Sequence, residues 1–129
     1  MEDLSGIISA AVGLLFLSGV VHFIKVATKN GTLDKNSAIG IRTKITTSSD
    51  VAWEAGHLAA GPWLLGGALT GYFMALLSAA LTVFGALSDS LGPAVLLVPG
   101  SGFLAVCVTL IVATRIANKS GAEAEANQQ

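Results

Sequence analysis

A short segment near the middle of the chain holds the residues whose types could do chemistry. Asp50, Trp53, Glu54 and His57 are spaced three or four residues apart or adjacent, so on a helix they share one face. The Glu54-x-x-His57 pair is typical of half of a carboxylate-bridged metal site in a helical bundle. Zinc needs three or four ligands in close geometry, and the other candidates are few, with His22 among them. We therefore predict no metal and no other cofactor, and expect His57 to be hydrogen-bonded or solvated.

No catalytic constellation accompanies these residues. The sequence has no convincing Ser, His and Asp arrangement and no glycine-rich phosphate loop between a strand and a helix. A transporter is expected to carry ionisable residues at mid-membrane, whereas the apolar runs hold only His22, near one end. The net charge of −1 offers no basic face to nucleic acid. We predict that the protein is neither an enzyme nor a transporter and binds no nucleic acid.

The charged residues are few and unevenly spaced. Of the 129 residues, 53% are hydrophobic and only 12% are charged, against about a quarter in a typical soluble domain. Mean hydropathy is +0.73. Uncharged runs cover residues 4–24, 58–88 and 90–114, and each is long enough to cross a bilayer core of roughly 30 Å as a helix. The sequence thus predicts an all-α polytopic membrane protein with three transmembrane helices.

Capping and breaking signals suggest where the segments begin and end. Thr47-Ser48-Ser49-Asp50 matches the start signal of a capped helix, and Gly61-Pro62 is expected to break that helix before the second span. A short interfacial helix is therefore predicted in the first loop, with Trp53 at the headgroup level. The predicted three-helix domain covers 1–119. It contains a first span at about 4–25, an interfacial helix at about 49–60, a second span at about 62–87 and a third span at about 92–115. A disordered tail is predicted after the domain, at 120–129.

Basic residues lie on one side of the predicted spans. Five of the seven fall between the first and second runs and two follow the third: Lys25, Lys29, Lys35, Arg42 and Lys44, then Arg115 and Lys119. Only acidic residues fall on the opposite side. Because basic loops stay in the cytoplasm, we predict an outside N-terminus, with the first loop and the C-terminus cytoplasmic.

The second run contains a stripe of small residues that allows close helix approach. Gly67 and Gly71 form a Gly-x-x-x-Gly pattern. Packing within the chain is the favoured role, because a three-helix domain needs such contacts. The same stripe is also compatible with a homodimer or with another membrane protein's helix.

Arg42 lies in a basic, extended-looking stretch and has three interpretations. It could fix the loop by capping carboxylates or helix-end carbonyls. It could contact anionic lipid, or serve only as a topology determinant.

Several polar and aromatic residues of the loop and the following helix form one spaced pattern. That pattern, which resembles the signature of the SdpI family of bacterial membrane proteins, consists of Asn36, Gly40, Ile41, Arg42, Thr43, Thr46, Ser49, Trp53, His57 and Gly61. The hydrophobic layout on both sides resembles the family's three-helix domain. Ser37 and Lys44 stand where the family often has proline.

The resemblance implies a role and a place. The protein after which the SdpI family is named protects a toxin-producing bacterium from a secreted peptide toxin and signals to a cytoplasmic repressor. The resemblance therefore implies an immunity or signalling factor in the bacterial inner membrane, with the patterned loop as a structural or signalling element. The alternative is an accessory subunit whose small-residue helices dock on a larger membrane complex, such as a respiratory or transport assembly.

Overall fold

The fold consists of three long helices joined by one long and one short connection. The computed structural model describes residues 2–128, with side chains from residue 4 onwards. Helix α1 spans Glu2–Lys29, α2 spans Asp50–Leu87, and α3 spans Leu97–Ala126 after a single 3-10 turn at Pro93–Leu96. No strand occurs within the described residues. All three helices are long and apolar enough to cross a membrane, so the predicted all-α fold with three spans is confirmed.

Helix α2 lies between the other two and packs against both, while α1 and α3 touch each other only lightly. The helices alternate in direction, so the long first loop and the C-terminal part of α3 lie at the same end, here called the loop end. At 38 residues, α2 is about 57 Å long, well beyond the roughly 30 Å of a bilayer core. Its first two turns, before the uncharged run from residue 58, therefore belong to the loop end.

Small residues bring the helices close together. A Cβ built at Gly67 would lie 3.1 Å from the Thr109 side chain of α3. One built at Gly71 would lie 3.2 Å from Val106 and would collide with Ser18 of α1. Large apolar side chains such as Phe16, Phe73, Phe84 and Leu104 point outward and are exposed. With the helices' length and hydropathy, this places the exposed apolar faces in contact with lipid.

Two predicted boundaries inside the chain differ from the structure. The predicted break at Gly61-Pro62 is wrong, because α2 runs through Pro62 without interruption. A proline costs one backbone hydrogen bond, but Leu64, two residues further on, lies in the buried core with side chains of α1 and α3, and that packing holds the helix. The residues predicted to form a separate interfacial helix are therefore the first turns of α2.

The predicted disordered tail is also wrong up to Ala126, since α3 is helical to that residue. Alanine and glutamate are good helix formers. Gly121 lies close to α2, where an added Cβ would be 3.0 Å from the Ala52 carbonyl oxygen. Ser48 donates a hydrogen bond of 2.6 Å to the Glu125 carboxylate. The ends of the predicted ranges at residues 1 and 129 lie outside the described residues.

Candidate functional site

His57 is the centre of the loop end. It is only 3% exposed, and its Nε2 accepts a 2.9 Å hydrogen bond from the Ile41 backbone N–H. Its Nδ1 lies 2.9 Å from the Trp53 carbonyl oxygen. Because a carbonyl can only accept, Nδ1 must carry the proton, and Nε2 must be the unprotonated acceptor. His57 is thus held as the neutral Nδ1–H tautomer, with both ring nitrogens occupied.

Trp53 closes one side of this centre. Its ring stacks on His57 with centroids 4.1 Å apart, and its indole N–H donates to the Leu33 carbonyl at 3.2 Å. Gly40 lies against it with φ of +135°, and a Cβ there would be 2.5 Å from the indole ring. The position therefore requires glycine. Trp53 is 3% exposed, so the loop covers its ring and the ring does not face the lipid.

Thr46 fixes the loop from the other side. This threonine is fully buried. Its hydroxyl donates to the Ile41 carbonyl at 2.6 Å and accepts from the Thr43 N–H at 2.9 Å. The residue Ile41 is thus held through its N–H by His57 and through its carbonyl by Thr46. The Thr43 hydroxyl in turn donates to the Asn118 side-chain oxygen, which joins the loop to α3.

Ser49 begins α2. It has an extended backbone, and its hydroxyl accepts the Ala52 N–H at 3.0 Å, which satisfies one of the helix's free donors. The expected start near residue 49 is therefore found, with Ser49 itself as the cap.

Arg42 and Asn36 lie on the exposed outer part of the loop. Arg42 donates from its guanidinium to the Lys35 carbonyl at 2.9 Å and to the Ser37 carbonyl. Asn36 contributes through its backbone N–H, which donates to Asp34 at 2.9 Å. Arg42 therefore caps carbonyls within its own loop, and not the carboxylates or helix-end carbonyls that the sequence suggested as its partners.

The structure brings most of the patterned residues into one cluster. Gly40, Thr43, Thr46, Trp53 and His57 surround the Ile41 peptide, whereas Gly67 and Gly71 lie apart, in the helix bundle. Sequence reasoning missed two members, Leu33 and Asn118. Leu33 takes part only through its carbonyl, for which residue type is no signal. Asn118 is a polar residue just after the third apolar run, and that position was its only signal.

The residues considered as metal ligands do not converge. Between residues 2 and 128, no group of three or more His, Cys, Asp or Glu side chains could hold a metal ion. Glu54 is exposed, and both nitrogens of His57 are engaged. His22 lies in the bundle, with its Nδ1 3.2 Å from the Tyr72 hydroxyl.

These observations define a polytopic membrane protein with three helical spans and a hydrogen-bonded loop packed on the ends of two of them. The SdpI/YfhL protein family matches residues 32–113, which include most of the loop, all of α2 and more than half of α3. The chain belongs to that family. No curated protein and no solved structure matches it.

Proposed function

We propose that the chain is a non-enzymatic immunity or signalling factor of the SdpI type, which protects a bacterium against a peptide toxin or envelope stress. Membership of the family supports this role. We place the protein in the bacterial inner membrane with the loop end in the cytoplasm, because the basic residues gather there.

The observation that carries the proposal is that the loop is bonded to two helices at once. His57 ties the Ile41 peptide to α2, while Thr43 and Ser48 tie the loop to Asn118 and Glu125 of α3. A displacement of α2 relative to α3 must therefore stretch or break these bonds. A peptide or stress that shifts the helices in the membrane would change the loop, which is the part available to a cytoplasmic partner.

Toxin challenge of living cells tests this role. Bacteria that produce the chain should grow at concentrations of a membrane-active peptide toxin that stop the growth of cells lacking the chain. Arg42→Ala removes the guanidinium that caps two loop carbonyls and should lower protection. Lys44→Ala is the matched control, because it removes a neighbouring exposed positive charge and should leave protection unchanged.

Protein levels in the membrane, measured by immunoblot, must be equal for this comparison. No protection by the unmodified chain against any toxin tested would refute the immunity role. Full protection by both variants would refute the part assigned to the loop.

The accessory-subunit alternative is tested by what the chain carries with it. Gly67 and Gly71 pack against α1 and α3 of the same chain, so they are not free to receive another protein's helix. A C-terminally tagged chain, solubilised gently, should accordingly be recovered alone or as a homodimer. Recovery of a large complex in fixed proportion would instead identify an accessory subunit.

A further inference from the structure

A groove opens between α1 and α2 at the loop end, on a side that the loop leaves uncovered. It encloses about 730 Å³. Its lining includes three charged side chains, which are Lys25, Lys29 and Glu54. It also includes the apolar side chains of Leu58, Pro62 and Leu65. The Lys25 side chain leans across it towards α2, since its Cε would lie 4.0 Å from a Cβ added at Gly61.

The groove lies at the boundary between the charged and uncharged parts of both helices. On α1, Lys25 is the first charged residue after the apolar run 4–24. On α2, Glu54 is the last charged residue before the uncharged run 58–88. The groove therefore has one end at headgroup level and the other at the level of the acyl chains. An amphipathic molecule oriented like a phospholipid matches both ends.

The charged end also has the right sign for a phosphate group. Two lysines and one glutamate leave it with a net charge of +1. Neither lysine forms an ion pair or a side-chain hydrogen bond within the described part of the chain. A phosphodiester carries one negative charge and would balance the groove, whereas an uncharged partner helix would leave both ammonium groups unmatched.

We propose that this groove binds one phospholipid, with its phosphodiester between Lys25 and Lys29 and an acyl chain along Leu58, Pro62 and Leu65. This goes beyond the immunity or signalling role and does not depend on it. Glu54 stands near the headgroup, where it repels a second anionic lipid and accepts hydrogen bonds from headgroup hydroxyls.

Native mass spectrometry of the purified full chain, titrated with phosphatidylglycerol in mild detergent, measures this binding. The Lys25→Gln/Lys29→Gln variant should bind about thirty-fold more weakly, since each basic residue near anionic lipid contributes about 1 kcal/mol. The control is Lys35→Gln/Lys44→Gln, which removes the same charge from the loop outside the groove and should bind like the unmodified chain. Circular dichroism checks that both variants fold.

A second pair of variants tests the groove without changing any charge. Gly61→Leu fills it, whereas Gly66→Leu places the same side chain where a Cβ would meet nothing within 4 Å. Only Gly61→Leu should weaken lipid binding. If the double lysine variant does not fold, the comparison of Gly61→Leu with Gly66→Leu still tests whether the groove binds the lipid.

Three results would overturn the proposal. One is equal affinity of the groove variants and their controls for phosphatidylglycerol. Another is displacement of the lipid by millimolar inorganic phosphate, which would show a site for free phosphate. The last is recovery of a peptide or another protein's helix in the groove in place of lipid.

Discussion

At the loop end, buried polar atoms are matched across distant parts of the chain, whereas the apolar half of the bundle is held by contacts between small residues. His57 bonds to Ile41, and Thr43 bonds to Asn118 on another helix. In the bundle, the hydroxyls of Ser18 and Ser78 donate to carbonyls four residues earlier in their own helices. Among the described residues, the cross-helix side-chain hydrogen bond in the apolar half is that of His22 with Tyr72.

The difference follows from the two environments. A hydroxyl in lipid must be satisfied without water, and the carbonyl of its own helix is always within reach. Such a bond gives no preference for one neighbouring helix over another, so shape decides the packing. At the loop end, the irregular backbone has its own unpaired groups, and these require specific partners. No buried side-chain nitrogen or oxygen within the described residues lacks a hydrogen-bond partner.

The largest expected effect is at His57. His57→Ala leaves the buried Ile41 N–H without an acceptor and removes the ring stacked on Trp53, so we expect a loss of about 3 kcal/mol of unfolding free energy. Thermal unfolding in mild detergent measures the loss, and hydrogen exchange at the Ile41 amide should accelerate. His22→Ala is the control, because it removes only a half-buried bond to Tyr72 and should cost about 1 kcal/mol. Equal losses would refute the contrast between the two regions.

The next effect tests the packing of the bundle. Gly71→Ala places a methyl group against Ser18 and Val106, and overpacking of this kind costs about 2 kcal/mol. Adding Ser18→Ala should recover part of the loss, because it removes the atom that collides first. Gly66→Ala should be neutral, since that position is open. The same thermal unfolding assay applies, and a Gly66→Ala loss as large as that of Gly71→Ala would show that shape is not what limits the bundle.

The smallest effect is at the start of α2. Ser49→Ala removes the hydroxyl that accepts the Ala52 N–H and should cost about 1 kcal/mol. Ser101→Ala removes an exposed hydroxyl that donates only to the Val98 carbonyl of its own helix, and it should change stability by less than about 0.5 kcal/mol. Limited proteolysis within the loop, together with unfolding, would separate the two variants. Identical behaviour would mean that packing alone sets where α2 begins.

Much of the fold was predictable because the hydropathy of consecutive residues is enough to recognise a membrane-spanning helix. The runs 4–24, 58–88 and 90–114 each lack charges, and most of each run lies in a long helix. Boundaries were less predictable. Pro62 was expected to end a helix, but burial of its neighbours keeps α2 continuous. The residues from Ser120 onwards were expected to be disordered, but contact of Gly121 with Ala52 supports the helix there up to Ala126.

The candidate site was only half visible in the sequence. Its side chains could be named, because the pattern from Asn36 to His57 resembles that of a known family. Their partners could not, because Leu33 and Ile41 contribute backbone groups, which every residue possesses.

What the sequence alone determined is the class of protein, the three spans and the gathering of positive charge at one end. Each follows from the transfer of side chains between water and lipid, and that preference belongs to each residue separately. Only the tertiary structure decided that His57 is neutral and buried, that Trp53 is covered, and that Gly71 packs inward while Gly66 faces out. Those outcomes depend on contacts between residues far apart in the chain, such as the 16 residues from Ile41 to His57 and the 75 from Thr43 to Asn118.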